Sequence, residues 1–490
     1  MKVFIGFLFV IVLLNTVLFA QDDEYQKWLK QQQQEFQDFQ SKQDKEFLKF
    51  LEKQWVKKNV EQPKKQEDAP KPVQIPAPPV KKETKQEIVP AQKEASPVAP
   101  VQPPKLPEPL PVPAPAPKVE PQQTPVAIPE LVNSSYNFFG ETVTLAASKE
   151  FAYSFPTSLE GKVIAQFWEH VSKKDDGSLL RALLEKAKAL QLNDYGFAEL
   201  VYQTSPAWCK TASQKNIFTW YMLTKAGYSC KVGYNPQSVL LFIESSTMMY
   251  ARRYLHNREE NRKFYVFDFS GTQNVSETVS IYEGDFPGAT RIFSPAINQI
   301  PVFTQAQHTR NVRIIVSGKP VEITLQSNSS AIEFLKNYPQ TDWVIYANAS
   351  PVSTSGTKLL EQLRPLLQGK SESEQLNLLL YFVQVATEYA TDQEQFKIEK
   401  PLFVEESLFY PKSDCEDRSV LFAYLVRKLL AKEVILLDYP GHIAAAVKVD
   451  FAIAGDYVKV GEENYLICDP TYIGAEIGTA MPAFKSVSPN

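Results

Sequence analysis

Twenty of the 36 prolines in this 490-residue chain fall between residues 59 and 130. Lys, Glu, Val and Ala stand between them, and no aromatic residue interrupts the run. Such a stretch has too little apolar surface to offset the entropy of ordering, and proline removes the backbone donors that a sheet needs. Residues 59–130 therefore read as a disordered, Pro-rich linker. At about 3 Å per residue it could reach on the order of 200 Å. The chain is thereby divided into a short N-terminal part, a tether, and a body from residue 131 to 490. With 44% hydrophobic residues, the whole holds enough apolar surface for two or three cores.

The N-terminal part has two pieces. Lys2, the apolar run Val3 to Leu14, and Leu18-Phe19-Ala20 ahead of Gln21 read as a signal peptide over 1–20. The run is short for a membrane span, although an uncleaved signal anchor is the rival reading. Residues 21–58 read as an amphipathic helix. Tyr25, Phe36 and Phe47 are eleven apart, and so are Trp28, Phe39 and Phe50. Eleven residues make three turns of about 3.67 residues each, so the aromatics line one stripe. Such a stripe needs cover, from a second copy, from the chain's own body, from a partner or from a membrane surface. Self-association or partner docking through residues 25–57 is the favoured expectation. The stretch also resembles the N-terminal region of membrane-bound lytic transglycosylase C, a cell-wall enzyme. The net charge of −4 gives no reason to expect nucleic acid.

The body carries a second, longer repeat. Leu200-Val201-Tyr202-Gln203 matches Tyr381-Phe382-Val383-Gln384, and Trp220 to Lys225 matches Ala423 to Lys428. Tyr234 to Gln237 lies over Tyr439 to His442, and Tyr265 to Asp268 over Leu466 to Asp469. In that register Ala212 stands opposite Cys415, and Gln237 opposite His442. The second copy carries an insert, Val385 to Asp414, placed to wall or roof whatever lies next to Cys415.

Chemistry concentrates near the C-terminus. Cys415, in Ser413-Asp414-Cys415-Glu416-Asp417-Arg418, precedes the apolar helical run Val420 to Leu430. His442 opens the run Ile443 to Val447, and Asp469 follows Tyr465 to Cys468 and precedes Pro470. A thiol needs help to ionise at neutral pH. A helix start supplies a positive dipole end, a histidine supplies an ion-pair partner, and an aspartate fixes the ring. Ser413 or Asp414 can cap the helix, whereas Asp414, Glu416 and Asp417 crowd the thiol with negative charge. Cys468 should point the opposite way from Asp469, into core. Cys209 reads as structural, and a Cys209–Cys230 bridge is left open. No ligand spacing supports zinc.

Cysteine before a helix, histidine opening a strand and Asp-Pro after the next strand resemble the transglutaminase-like superfamily, relatives of papain in fold and triad. The resemblance implies Cys415 as nucleophile, His442 as base and acid, and Asp469 as orienter. It implies an α+β fold with two transglutaminase-like domains, a degenerate one at 131–290 and a catalytic one at 357–490, joined by a β-rich segment at 291–356. The run Asp414 to Asp417 is similar to bacterial transglutaminase-like cysteine proteinases that trim surface adhesins. Those hold calcium through acids flanking the nucleophile, which implies calcium at Asp414 and Glu416 and no other cofactor. The oxyanion donors would be the Cys415 N–H and one side chain, with Gln384 and Tyr410 as candidates. The duplication, the tether and the inserts depart from that family, so its substrate does not carry over. The expectation is an exported cysteine hydrolase, peptidase or amidase, periplasmic or secreted, acting on a protein or peptide of the cell envelope. The rival is a non-catalytic scaffold with an unused triad. A cell-wall amide hydrolase is a third reading, supported by the N-terminal resemblance alone.

Overall fold

The computed structural model describes residues 31, 38, 40–64 and 131–489, apart from 176, 272–274, 299, 300, 305, 306, 352 and 486. The signal peptide at 1–20, the aromatics before Phe47 and the linker beyond 64 lie outside the described residues. No helix among the described residues is long and apolar enough to cross a membrane.

The fold is mixed α+β. Helix α1 (40–51) and strand β1 (Val56–Asn59) come first. The hairpin β2 (Leu131–Phe138) and β3 (Glu141–Ser148) opens the body. Helices α2 (Gly161–Ser172), α3 (Ser178–Ala189), α4 (Asp194–Thr204) and α5 (Ala212–Lys225) follow. Strands β4 (Cys230–Tyr234), β5 (Val239–Glu244), β6 (Tyr254–Asn257), β7 (Arg262–Phe267) and β8 (Thr278–Ile281) complete the first unit. A second hairpin, β9 (Gln307–Val316) and β10 (Lys319–Asn328), begins the next. It leads to α6 (Ser329–Leu335), α7 (Trp343–Asn348), α8 (Ser355–Leu367) and α9 (Glu372–Ala386). The insert contributes β11 (Glu388–Tyr389), α10 (Asp392–Gln395), α11 (Val404–Phe409) and β12 (Lys412–Ser413). Helix α12 (Cys415–Leu430) and strands β13 (Val434–Tyr439), β14 (His442–Lys448), β15 (Tyr457–Val460) and β16 (Glu463–Cys468) end the element list.

The same order therefore occurs twice: hairpin, helices, one central helix, then an antiparallel sheet. In the first unit the strands run β4-β5-β7-β6, and in the second β13-β14-β16-β15. Register matches as well, since Leu241 pairs with Phe267 as Ala445 pairs with Cys468. A side chain one turn into each central helix bonds the same carbonyl position, Asn216 to Val239 O and Ser419 to Ile443 O. These matches put Ala212 opposite Cys415 and Asp268 opposite Asp469, as expected. They put Ser238, not Gln237, opposite His442. The cause is the choice of anchor: Val232 pairs with Leu241 as Leu436 pairs with Ala445, so Tyr234 stands opposite Asp438, one place before Tyr439. The β-rich segment expected at 291–356 is in large part the second unit's own hairpin.

Sequence pattern explains the pieces. Strand β9 alternates, with Val312 and Ile314 buried against Ile323 and Leu325 while Arg313 and Ile315 face out. Thr211 and Gln214 cap α5 reciprocally, as Ser371 and Glu374 cap α9. Every residue of α12 from Cys415 to Val426 is buried, so this helix is the axis of the second unit.

The N-terminal segment corrects an expectation. Helix α1 ends at residue 51, and residues assigned to the helix end and linker start form β1, which pairs with β8. Glu61 bridges Tyr254, bringing the six strands β1-β8-β4-β5-β7-β6 near to a closed barrel. Val60, Leu240, Phe242, Leu255, Phe264, Val266, Val279 and Ile281 fill its inside. Within the described residues, then, the aromatic stripe is covered by the chain's own body. Phe47 is 1% exposed, with ring centroids 4.7 Å from Trp168, 5.5 Å from Tyr282 and 5.4 Å from Phe286. Asp44 pairs with Lys225 at 2.9 Å in the same interface. Gly284, at φ +116°, makes room for Phe50: a Cβ there would lie 2.8 Å from its ring. Periodicity showed that the stripe needed cover but not which surface supplies it.

Phe47→Ala should cost about 3–5 kcal/mol, as large-to-small core changes do. Melting temperature should fall and residues 40–64 should become protease-sensitive. A variant that melts like the parent, with this segment still protected, would place the docking energy elsewhere.

Candidate active site

Helix α12, strand β14 and the end of β16 bring the three predicted residues into one buried region. Cys415 is the first residue of α12, His442 the first of β14, and Asp469 follows β16. His442 Nε2 lies 2.8 Å from Asp469 Oδ2, and Asp469 Oδ1 accepts from the Thr471 N–H at 2.9 Å. Cys415 Sγ accepts from the Ile443 N–H at 3.5 Å, so the thiol meets β14 one residue past His442. The sulfur donates to Glu416 Oε2 at 3.1 Å, and no hydrogen bond joins it to the imidazole. Histidine–aspartate pairing is present, and thiol–imidazole pairing is not made in this arrangement.

Two surfaces close the site. On the sheet face away from α12, Phe484 stacks on His442 with centroids 4.8 Å apart and planes 11° apart. Phe484 also lies 5.0 Å from Tyr439, in a C-terminal segment held by Lys485–Asp456 at 3.0 Å and by the Ala480 N–H on Asp456. The ring shields the His442–Asp469 bond and limits rotation of the imidazole. On the other side lies the insert, whose β11 runs parallel to β12. Tyr389 in β11 has Cys415 as its first charged neighbour, and burial together with that neighbour pushes its phenol well up. The site as a whole is shut: Cys415 is 1% exposed and His442 5%.

Charge is the dominant feature. Burial first, then Glu416 and Asp414, push the Cys415 thiol well above its ordinary range. Asp392, Asp414 and Asp417 each bring one carboxylate oxygen within 4.8 Å of the others, and so do Asp392, Glu399 and Glu416. Neither oxygen of Asp414 receives a hydrogen bond, nor does Oε1 of Glu416, although both residues are buried. Burial and the neighbouring acids raise Asp392 to about 10 and Asp417 to about 8, and hold Asp414 well above the carboxylate range. Arg418 is buried beside them, but its Nη2 goes to Thr387 O at 2.8 Å and its Nε to Ser413 Oγ at 3.3 Å. The expected capping role of Asp414 is half realised: its backbone N–H goes to Asp417 at 3.4 Å, and its carboxylate caps nothing. Orphaned carboxylate oxygens in a dry site are what a hard cation with oxygen ligands requires.

Other expectations change. Gln384 is no oxyanion donor, because its amide N–H₂ group is spent on Tyr472 O and Ala475 O, both at 3.0 Å. Its oxygen accepts from Gly474, so it pins the turn behind Asp469. Tyr410 packs on Phe396 and Phe409, with Glu406 and Glu333 as its charged neighbours; the chain reverses at α11 and carries it away from the thiol. Asp392 and Glu399 were missed because the acids of the insert are separated from Cys415 by a folded-back chain. Phe484 gave no local signal.

Among its described residues, the first unit brings no such cysteine, histidine and aspartate together. Ser213 Oγ accepts from the Val239 N–H at 3.0 Å where Cys415 Sγ accepts from Ile443. Cys209 is buried, and burial pushes its thiol to about 12. His170, His256 and His308 have other partners, in Ala152 O, Asn261 and Phe409. All four cysteines are free, so the Cys209–Cys230 bridge is not formed. In comparisons with known proteins, no family model, no curated protein and no solved structure matches this chain.

Glu416→Gln removes the negative charge on which the thiol donates. In metal-free protein, iodoacetamide labelling of Cys415 at pH 7.5 should accelerate, by about tenfold for each pKa unit released. Labelling no faster than in the parent would show that Glu416 does not hold the thiol up.

Proposed function

We propose that this protein is an exported cysteine hydrolase of transglutaminase-like type, with a catalytic second unit and a degenerate first one. The observation that carries the reading is the buried His442–Asp469 pair beside a cysteine in the first turn of α12. The Cys415 thiolate attacks a peptide or amide carbonyl, forming the S–C bond, while the Cys415 backbone N–H faces the developing oxyanion. His442 gives its proton to the leaving nitrogen as the C–N bond breaks. Water then loses a proton to His442 and attacks the thioester, releasing the acid and restoring the thiol. Asp469 holds the ring and stabilises the imidazolium between these steps.

Asp392 with Asp414 and Asp417, or Asp392 with Glu399 and Glu416, would hold calcium. When bound, the ion supplies positive charge that neutralises these carboxylates and favours the thiolate. Glu416 would then be a metal ligand and not the thiol's acceptor, and Cys415 would be free to pair with His442. The apolar run at residues 3–14 supports export to a periplasmic or secreted location, and a protein or peptide of the envelope as substrate.

A second reading, a non-catalytic scaffold, is favoured by one observation: the thiol is bonded to Glu416 and not to His442. Labelling separates the two. With calcium, iodoacetamide should modify Cys415 at neutral pH at least about tenfold faster than Cys468, by the advantage of thiolate over buried thiol. His442→Ala should abolish that advantage. Equal rates at both cysteines, indifferent to calcium and to His442, would leave the scaffold reading standing.

A further inference from the structure

The catalytic reading leaves unused a cavity of about 480 Å³ between the two units. It lies at the end of β7 that carries Asp268 and beside Gln203, the counterparts of Asp469 and Gln384. The first unit has therefore lost its nucleophile and base but kept the cleft next to them. Across the cavity stands the insert, through Ile398, Glu399 and Lys400.

The walls have a definite chemistry. Tyr250, Phe269 and Tyr338 supply partly exposed aromatic faces, with Tyr195, Phe334 and Phe403 buried behind them. Glu199, Asp268, Glu333 and Glu399 supply carboxyls, against Arg252, Lys336 and Lys400. Lys400 is already held by Glu406 at 2.5 Å, and Lys336 by Glu333 at 3.5 Å. Aromatic-lined grooves of this kind take polyproline segments, whose preformed shape lowers the entropy cost of binding.

The chain delivers such a segment to the rim. The carbonyl of Lys64, the last described residue before 131, accepts from the N–H of Ala251 at 2.8 Å, and Ala251 lines the cavity. Residues 64–82 contain five prolines, including Pro76-Ala77-Pro78-Pro79, and five lysines against two acids, with no aromatic ring. Covalent attachment gives an effective concentration in the millimolar range, so even a weak site would be filled. We infer that the cavity between the units is a polyproline-binding site whose occupant is residues 64–82 of the same chain. This stands whether or not Cys415 is catalytic. Because Glu399 faces both the cavity and the acid cluster, the occupant also touches the segment that would hold calcium.

Ile398, on the rim and 63% exposed, is the reporter position. Full-length protein carrying p-benzoylphenylalanine at 398 should, on irradiation, cross-link to residues 64–82 within one chain. Replacing Pro70, Pro72, Pro76, Pro78 and Pro79 by Ala should reduce the yield at least about fivefold, since the polyproline shape is then lost, with the melting temperature unchanged. Cross-links that miss 64–82, that join two chains, or that persist at full yield without the prolines would overturn the assignment. The last result would mean that tethering alone brings the segment near.

Discussion

A cluster of buried acids sits at the positive end of α12, beside the Cys415 thiol, and it sets the electrostatics of the second unit. Asp414, Glu416 and Asp417 are in or next to the helix's first turn, where the dipole favours anions by at most about 2 kcal/mol. That is too little to hold several buried carboxylates ionised, so the group keeps protons or takes a cation. The thiol shares the same field and stays protonated while the acids are charged and bare. A nucleophile and an acid cluster in one dry space cannot be set independently. Whatever neutralises the acids also releases the cysteine.

The two units show how one sheet order accommodates different covers. In the first, β1 and β8 extend the sheet toward a barrel, whose inside is filled by its own side chains. In the second, four strands stay open, and Ala480, Phe484 and Val487 from the C-terminal segment cover the face that carries Ala444 and Ala446. His442 lies on that covered face, which is why Phe484 can stack on it. The first unit, with Ala212 and Ser238 at the corresponding places, has neither thiol nor imidazole to protect. Its retained cleft is free to do something else.

Much of this was legible in sequence, for physical reasons. Cys415, His442 and Asp469 each sit at the start or end of an element, and local pattern marks such positions well. The start of α5 at Ala212 was likewise visible from the internal repeat, which sets Ala212 opposite Cys415. What local pattern cannot carry is the identity of a distant partner. The aromatic stripe announced a need for cover but not Trp168 and Tyr282 as its cover. Gln384 looked like a donor facing the site until Tyr472 and Ala475 claimed both of its hydrogens. Ser238 was missed by one position because Tyr234 matches Tyr439 by residue type, whereas strand pairing sets it opposite Asp438. Tyr389, Asp392, Glu399 and Phe484 reach the site only through tertiary folding, and nothing nearby in sequence points to them.

The most direct test of the coupling between acids and thiol is the pH dependence of Cys415 alkylation, measured with and without calcium. The account predicts that calcium moves the rise in rate from above the ordinary thiol range, about 8.5, to well below it. With calcium, the low-pH limb should vanish in His442→Gln, as expected for a thiolate–imidazolium pair. Superimposable profiles with and without calcium, both rising only above the ordinary thiol range and both indifferent to His442, would contradict it.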